Sequence, residues 1–121
     1  MKDKFCKTVH DPIFRQNFIL YCGYEFADFY KEVMGVEYTG NVGVINGYCI
    51  NTKSAEICIW LADHTCIPAL IHELHHAMQF ALYDRCFVDR REAELPAYYM
   101  EFLTSEFLKN TDPIKSRGRK R

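Results

Sequence analysis

Residues 71–79 of the 121-residue chain read Ile-His-Glu-Leu-His-His-Ala-Met-Gln. His72 and His76 stand four positions apart. On a helix that spacing puts both on one face, with Cβ atoms about 5–6 Å apart, so two imidazoles can address one ion. Glu73 follows His72 by about 100° of helical turn, near enough to reach a water on that ion without crowding it. Imidazole nitrogens suit zinc, and a carboxylate beside a zinc-held water has the position of a general base. His75 is only three residues from His72 and aims less well along the same face, so it is read as a neighbour of the site or a surface group. A five-residue pattern is short, and its weight depends on the elements that carry it.

Those elements can be read on either side. Ala55–Leu61 is an apolar run expected to be a strand. Asp63-His64-Thr65 offers helix-capping residues, and Pro68 falls in the first turn, where its missing N–H costs little. From Ile67 to Tyr83 the apolar residues Ile67, Leu70, Ile71, Leu74, Ala77, Met78, Ala81 and Leu82 recur at three and four, predicting a helix with a broad buried face. Upstream, His10-Asp11-Pro12 reads as a helix start, and helical spacing runs from Ile13 to Met34, interrupted at Gly23 and ended by Gly35. Between Val36 and Leu61 the apolar runs Val36–Tyr38, Val42–Ile45, Tyr48–Ile50 and Ile57–Leu61 are short. Asn46-Gly47 reads as a hairpin turn, and Asn51-Thr52-Lys53-Ser54 as a second turn. A small, mainly antiparallel sheet is expected, with Ala55–Leu61 its last strand. At a sheet edge, that strand could pair with an extended peptide.

After the motif helix, Asp84–Asp89 is a connector, and a final helix is expected over Arg90–Lys109 with Leu95, Tyr99, Phe102, Leu103 and Phe107 on its core face. Pro96 requires that helix to start nearer Leu95 or to kink. The fold class is therefore α+β: an N-terminal helix, a small sheet, the motif helix and a C-terminal helix in one domain over residues 1–111. Residues 112–121 end in Lys-Ser-Arg-Gly-Arg-Lys-Arg and are expected to form a disordered basic tail, either solubilising or able to engage nucleic acid or another acidic partner.

The formal net charge of −1 gives the chain as a whole no electrostatic preference for nucleic acid or membrane. Neither a secretory leader nor a bilayer-spanning run is read in the sequence, so the expectation is cytoplasmic. The six cysteines include no Cys-x-x-Cys pair and are expected as reduced thiols.

Zinc in a hydrolytic site usually takes three protein ligands and a water. All five histidines (His10, His64, His72, His75, His76) lie at or before the motif. The downstream carboxylates Asp84, Asp89, Glu92, Glu94, Glu101 and Glu106 remain as third-ligand candidates. The motif, followed by a helix bearing Glu94-Leu95-Pro96-Ala97-Tyr98, resembles the gluzincin group of zincin metallopeptidases. In that group the third ligand is a glutamate on the following helix. The resemblance covers roughly residues 55–107 and implies Glu94 as that ligand, with Glu92 as the weaker alternative.

It further implies Zn2+ as cofactor, a peptide or protein substrate, and hydrolysis by a metal-activated water with Glu73 as general base. An oxyanion donor is needed as well, and Tyr98, Tyr99, Tyr83, Arg90 and His64 are candidates; Tyr98 is preferred. Larger members of that group have a C-terminal subdomain, and in this sequence little follows the expected glutamate helix except the basic tail. The rival expectation is accordingly a latent or catalytically silent zincin-fold binding protein that engages its partner through the basic tail.

Overall fold

The computed structural model describes residues 4–40, 43 and 45–111. The chain opens with a hairpin: β1 (Phe5–Asp11) pairs antiparallel with β2 (Gln16–Cys22), in register from Phe5↔Cys22 to Asp11↔Gln16. Asp11 closes the turn, its carboxylate accepting hydrogen bonds from the backbone N–H groups of Ile13 (2.8 Å) and Phe14 (3.2 Å). Helix α1 (Phe26–Met34) follows and stops at Gly35, whose φ of 78° no β-carbon obstructs; the Gly35 N–H caps Lys31 O at 2.8 Å.

Strand β3 (Gly47–Asn51) then turns into β4 (Glu56–Leu61), antiparallel to it, and β4 lies parallel to β2 on its other side. The sheet is mixed, in the order β1-β2-β4-β3. Helix α2 (Ile67–Gln79) runs on into a π-helical segment at Phe80–Arg85, and α3 (Glu94–Thr111) completes an α+β domain.

Each sheet face has its own core. On one side Phe18, Leu20, Ile57, Ile59 and Leu61 meet Leu70, Leu74 and Ala77 of α2 and Leu103 and Phe107 of α3, all fully buried. On the other, Tyr21, Cys58 and Trp60 meet Phe26 and Phe29 of α1, and the Trp60 indole donates to Tyr24 O at 2.8 Å. At roughly 1.5–3 kcal/mol for each large apolar side chain removed from water, these two layers fix where the helices sit.

Several sequence expectations need correction. No helix spans Ile13–Met34; its first half is the β1–β2 turn and strand β2. Both faces of β2 are covered, with Phe18, Leu20 and Cys22 on one core and Ile19 and Tyr21 on the other. A strand buried on both sides loses its polar–apolar alternation and mimics helical spacing. Strand β1 went unseen.

Val36–Tyr38 is not a strand, and of the expected Val42–Ile45 strand, Val42 and Val44 lie outside the described residues, as does the tail at 112–121. Gly47 opens β3 instead of turning a hairpin, whereas the turn after Asn51 is present, with the Thr52 hydroxyl bonded to Glu56 O. Most consequential for the site, β4 is an inner strand, and the sheet edge beside α2 is β3. Of the two outcomes that Pro96 allowed for the final helix, the structure shows the later start: α3 begins at Glu94, which leaves Pro96 in its first turn, where no N–H is needed. All six cysteines are thiols.

Candidate metal centre

Helix α2 has Pro68 in its first turn, and its buried residues are Leu70, Glu73, Leu74, Ala77 and Met78. That is one continuous stripe at three- and four-residue spacing, and four of the five are apolar as a core-facing stripe requires. Glu73 is the exception. It is 7% exposed, and burial is the main influence on its carboxyl, pushing its pKa above the ordinary glutamate value against the opposing pull of His72 and His76. A carboxylate placed where the fold calls for a hydrocarbon costs stability unless something else requires it there.

His72 and His76 are exposed and flank that carboxylate. Their Nε2 atoms converge to 3.2 Å, with ring planes at 77°. Two Zn–N bonds of 2.0–2.1 Å at a tetrahedral angle would put the nitrogens about 3.3–3.4 Å apart. The imidazoles therefore stand close to the separation that a zinc ion would impose. The His76 ring stacks on Phe80, 6.5 Å away and tilted by only 24°, so the first residue of the π-helical segment helps to orient it.

One ligand atom from each of His72, Glu73 and His76 lies within 4.8 Å of the others, and the group could bind a metal ion. Its donors, two neutral nitrogens and a carboxylate, suit zinc and other borderline divalent ions.

Arg85, at the far end of the π-helical segment, fixes this helix to the sheet. Its guanidinium donates to Asn51 Oδ1 (2.9 Å), Thr52 O (2.9 Å), Ala55 O (3.1 Å), Glu56 O (3.0 Å) and Gln16 Oε1 (3.3 Å). The turn between β3 and β4 is thereby tied to the helix that carries the histidines. No sequence motif announced this role, because its acceptors are mostly backbone carbonyls.

The other expected site residues are distributed unevenly. Glu94 is the exposed first residue of α3 and is not part of the His72–Glu73–His76 group. Glu92 caps the same helix, its Oε2 accepting from the N–H groups of Glu94 (2.9 Å) and Leu95 (3.0 Å). Tyr98 is 65% exposed, one turn beyond Glu94 on the same helix face. Tyr99 is buried, and its hydroxyl donates to Asp11 Oδ2 at 2.7 Å, which removes it from the donor candidates.

Tyr83 lies under the Arg90 guanidinium, 4.6 Å from the ring centre, and His64 sits 3.6 Å from Asp63. A residue that sequence reasoning assigned only to a turn, Gly47, has its backbone directly against the Glu73 side chain.

Among the described residues, no helix is long and apolar enough to cross a membrane. The chain matches no protein-family model, no curated protein and no solved structure.

Proposed function

We propose that this chain is a zinc-dependent peptidase of the zincin type, cleaving a peptide or protein substrate. The observation that carries the reading is Glu73: a carboxylate on the buried stripe of α2, held against two imidazoles whose Nε2 atoms converge to 3.2 Å. His72 and His76 would hold the metal. Glu94, from the first turn of the helix packed beside α2, is the proposed third protein ligand; Glu92 is already engaged in capping. Zinc bound there supplies a Lewis acid that lowers the pKa of a coordinated water and polarises a carbonyl.

Glu73 accepts the water's proton on a carboxylate oxygen and delivers it to the departing amine. Tyr98 is the candidate donor to the developing oxyanion. The substrate in this reading is an extended chain paired along the outer side of β3, the edge strand beside α2.

The test begins with metal content. The purified chain should carry about one zinc, lost in His72→Ala and His76→Ala and reduced in Glu94→Gln. It should cleave fluorescein-labelled denatured casein, and Glu73→Gln should keep the zinc while losing cleavage. A chain that takes up no zinc ends this proposal, and full zinc retention by Glu94→Gln removes Glu94 from the ligand set.

A further inference from the structure

We propose that Gly47 is a positioning residue for Glu73, its missing side chain being the space in which the proposed base is held. This inference rests on the peptidase reading for its catalytic meaning, but not for its structural content.

Gly47 is the first residue of the edge strand β3, paired with Leu61 of β4. A β-carbon built there would lie 2.8 Å from Glu73 Cγ, 3.1 Å from Oε2 and 3.4 Å from Cδ. All three nearest atoms belong to one side chain. The first distance is shorter than real carbon–carbon contacts allow, so one partner has to move.

The strand start is held by its pairing, and the neighbouring Asn46 O accepts from Ala62 N–H at 2.9 Å. The helix side is held by the buried residues Leu70, Leu74 and Ala77. What can give way is the Glu73 side chain itself, by rotating about its own torsions. That rotation carries the carboxylate away from His72 and His76.

The glycine is not explained by its own backbone. Its φ lies outside the left-handed region, unlike Gly23, Gly35 and Gly43, so alanine could adopt the same conformation. Glycine in a strand also sacrifices unfolded-state entropy that alanine would save. Close approach of another group is the remaining reason for glycine here, and the approaching group is the Glu73 side chain.

A double-mutant cycle on the full chain tests this. Gly47→Ala should lower the thermal midpoint by about 4 °C or more when Glu73 is present. In a Glu73→Ala background the same substitution should cost nothing, because the atoms it meets are gone. If Gly47→Ala fails to fold alone, recovery of folding in the double variant supports the coupling. An equal loss in both backgrounds overturns it, since the glycine would then serve the strand alone.

On casein, Gly47→Ala should reduce kcat about 10- to 100-fold, the scale expected for a displacement of about 1 Å at a reacting group, with KM and zinc content nearly unchanged. Unaltered kcat overturns the positioning role. A chain that shows the thermal coupling yet never cleaves casein supports the contact and counts against the peptidase reading, so the two failures are distinguishable.

Discussion

Asp11 and Glu73 are the deeply buried carboxylates among the described residues, at 3% and 7% exposure, and their surroundings differ in kind. Asp11 is surrounded by donors: the Tyr99 hydroxyl at 2.7 Å and the backbone N–H groups of Ile13 and Phe14. It closes the β1–β2 turn and fastens that turn to α3. Glu73 instead faces two imidazoles and the bare backbone of Gly47.

One carboxylate is buried because its hydrogen bonds offset the loss of water. The other is held in a place where its charge is disfavoured, the condition in which a carboxyl group becomes useful for moving protons. The contrast separates a structural acid from a proposed catalytic one without reference to any motif.

The largest expected effect lies on the Glu73 side. Glu73→Gln keeps the size of the side chain and removes the proton acceptor. Cleavage of labelled casein should fall by about 10²–10⁴-fold, the usual contribution of a positioned acid–base group, at unchanged zinc content. A loss below tenfold would place Glu73 in the same structural category as Asp11.

Next in size is the corresponding change on the Asp11 side. Asp11→Ala leaves the Tyr99 hydroxyl buried without an acceptor and two turn N–H groups without their partner. Unfolding free energy should drop by about 3 kcal/mol, read from urea denaturation, with zinc content unaffected. Asp11→Ala that loses zinc instead would mean that the two corners are coupled.

The same corner has a pH signature. Burial pushes the Tyr99 phenol well above its ordinary value, with the hydrogen bond to Asp11 and that residue's charge acting in the same direction. The unfolded chain ionises this tyrosine near pH 10 while the folded chain keeps it protonated. Its stabilising contribution is therefore complete below pH 10 and declines as pH rises further, by up to about 1.4 kcal/mol for each pH unit. Cys58, pushed up to about 12 mainly by burial, adds a decline that starts near its ordinary value of 9.0. Tyr21 and Cys49, raised in the same direction mainly by burial, add to the same limb, so Tyr99→Phe should make it less steep above pH 10 and leave the part due to those groups and Cys58. An unchanged limb would mean that Tyr99 is no better protected folded than unfolded.

This comparison also explains what could be read from the sequence. His72, Glu73 and His76 were legible because their relation is fixed by one helical turn, and local spacing alone brings them together. Gly35 as a helix stop, the turn after Asn51 and the core face of α3 were local in the same sense. The Asp11 corner was not legible, because it joins residues 88 positions apart; from the sequence, Asp11-Pro12 looked like a helix start. Strand β2 was hidden by being apolar on both faces. Gly47 carried a misleading signal, since Asn-Gly favours a hairpin turn, while its neighbour in space lies 26 residues on. Arg85 was invisible because carbonyl acceptors leave no mark on sequence.

The smallest effect bears most directly on the contrast. In metal-free protein, Glu73 contributes a desolvated carboxylate to an otherwise apolar stripe, and burial outweighs the favourable pull of the two imidazoles, as the upward shift of its pKa indicates. Glu73→Gln removes the charge while keeping the shape beside Gly47. It should raise the unfolding free energy by about 1 kcal/mol, the scale at which active-site residues commonly trade stability for function. The matching neutral change, Asp11→Asn, should act in the opposite direction, because an amide cannot accept all three of the hydrogen bonds that Asp11 receives. The pair of signs is what matters: two isosteric neutralisations of buried acids, one stabilising and one destabilising. If both destabilise, Glu73 is held by its surroundings much as Asp11 is, and the case for a base kept in place at the fold's expense is lost.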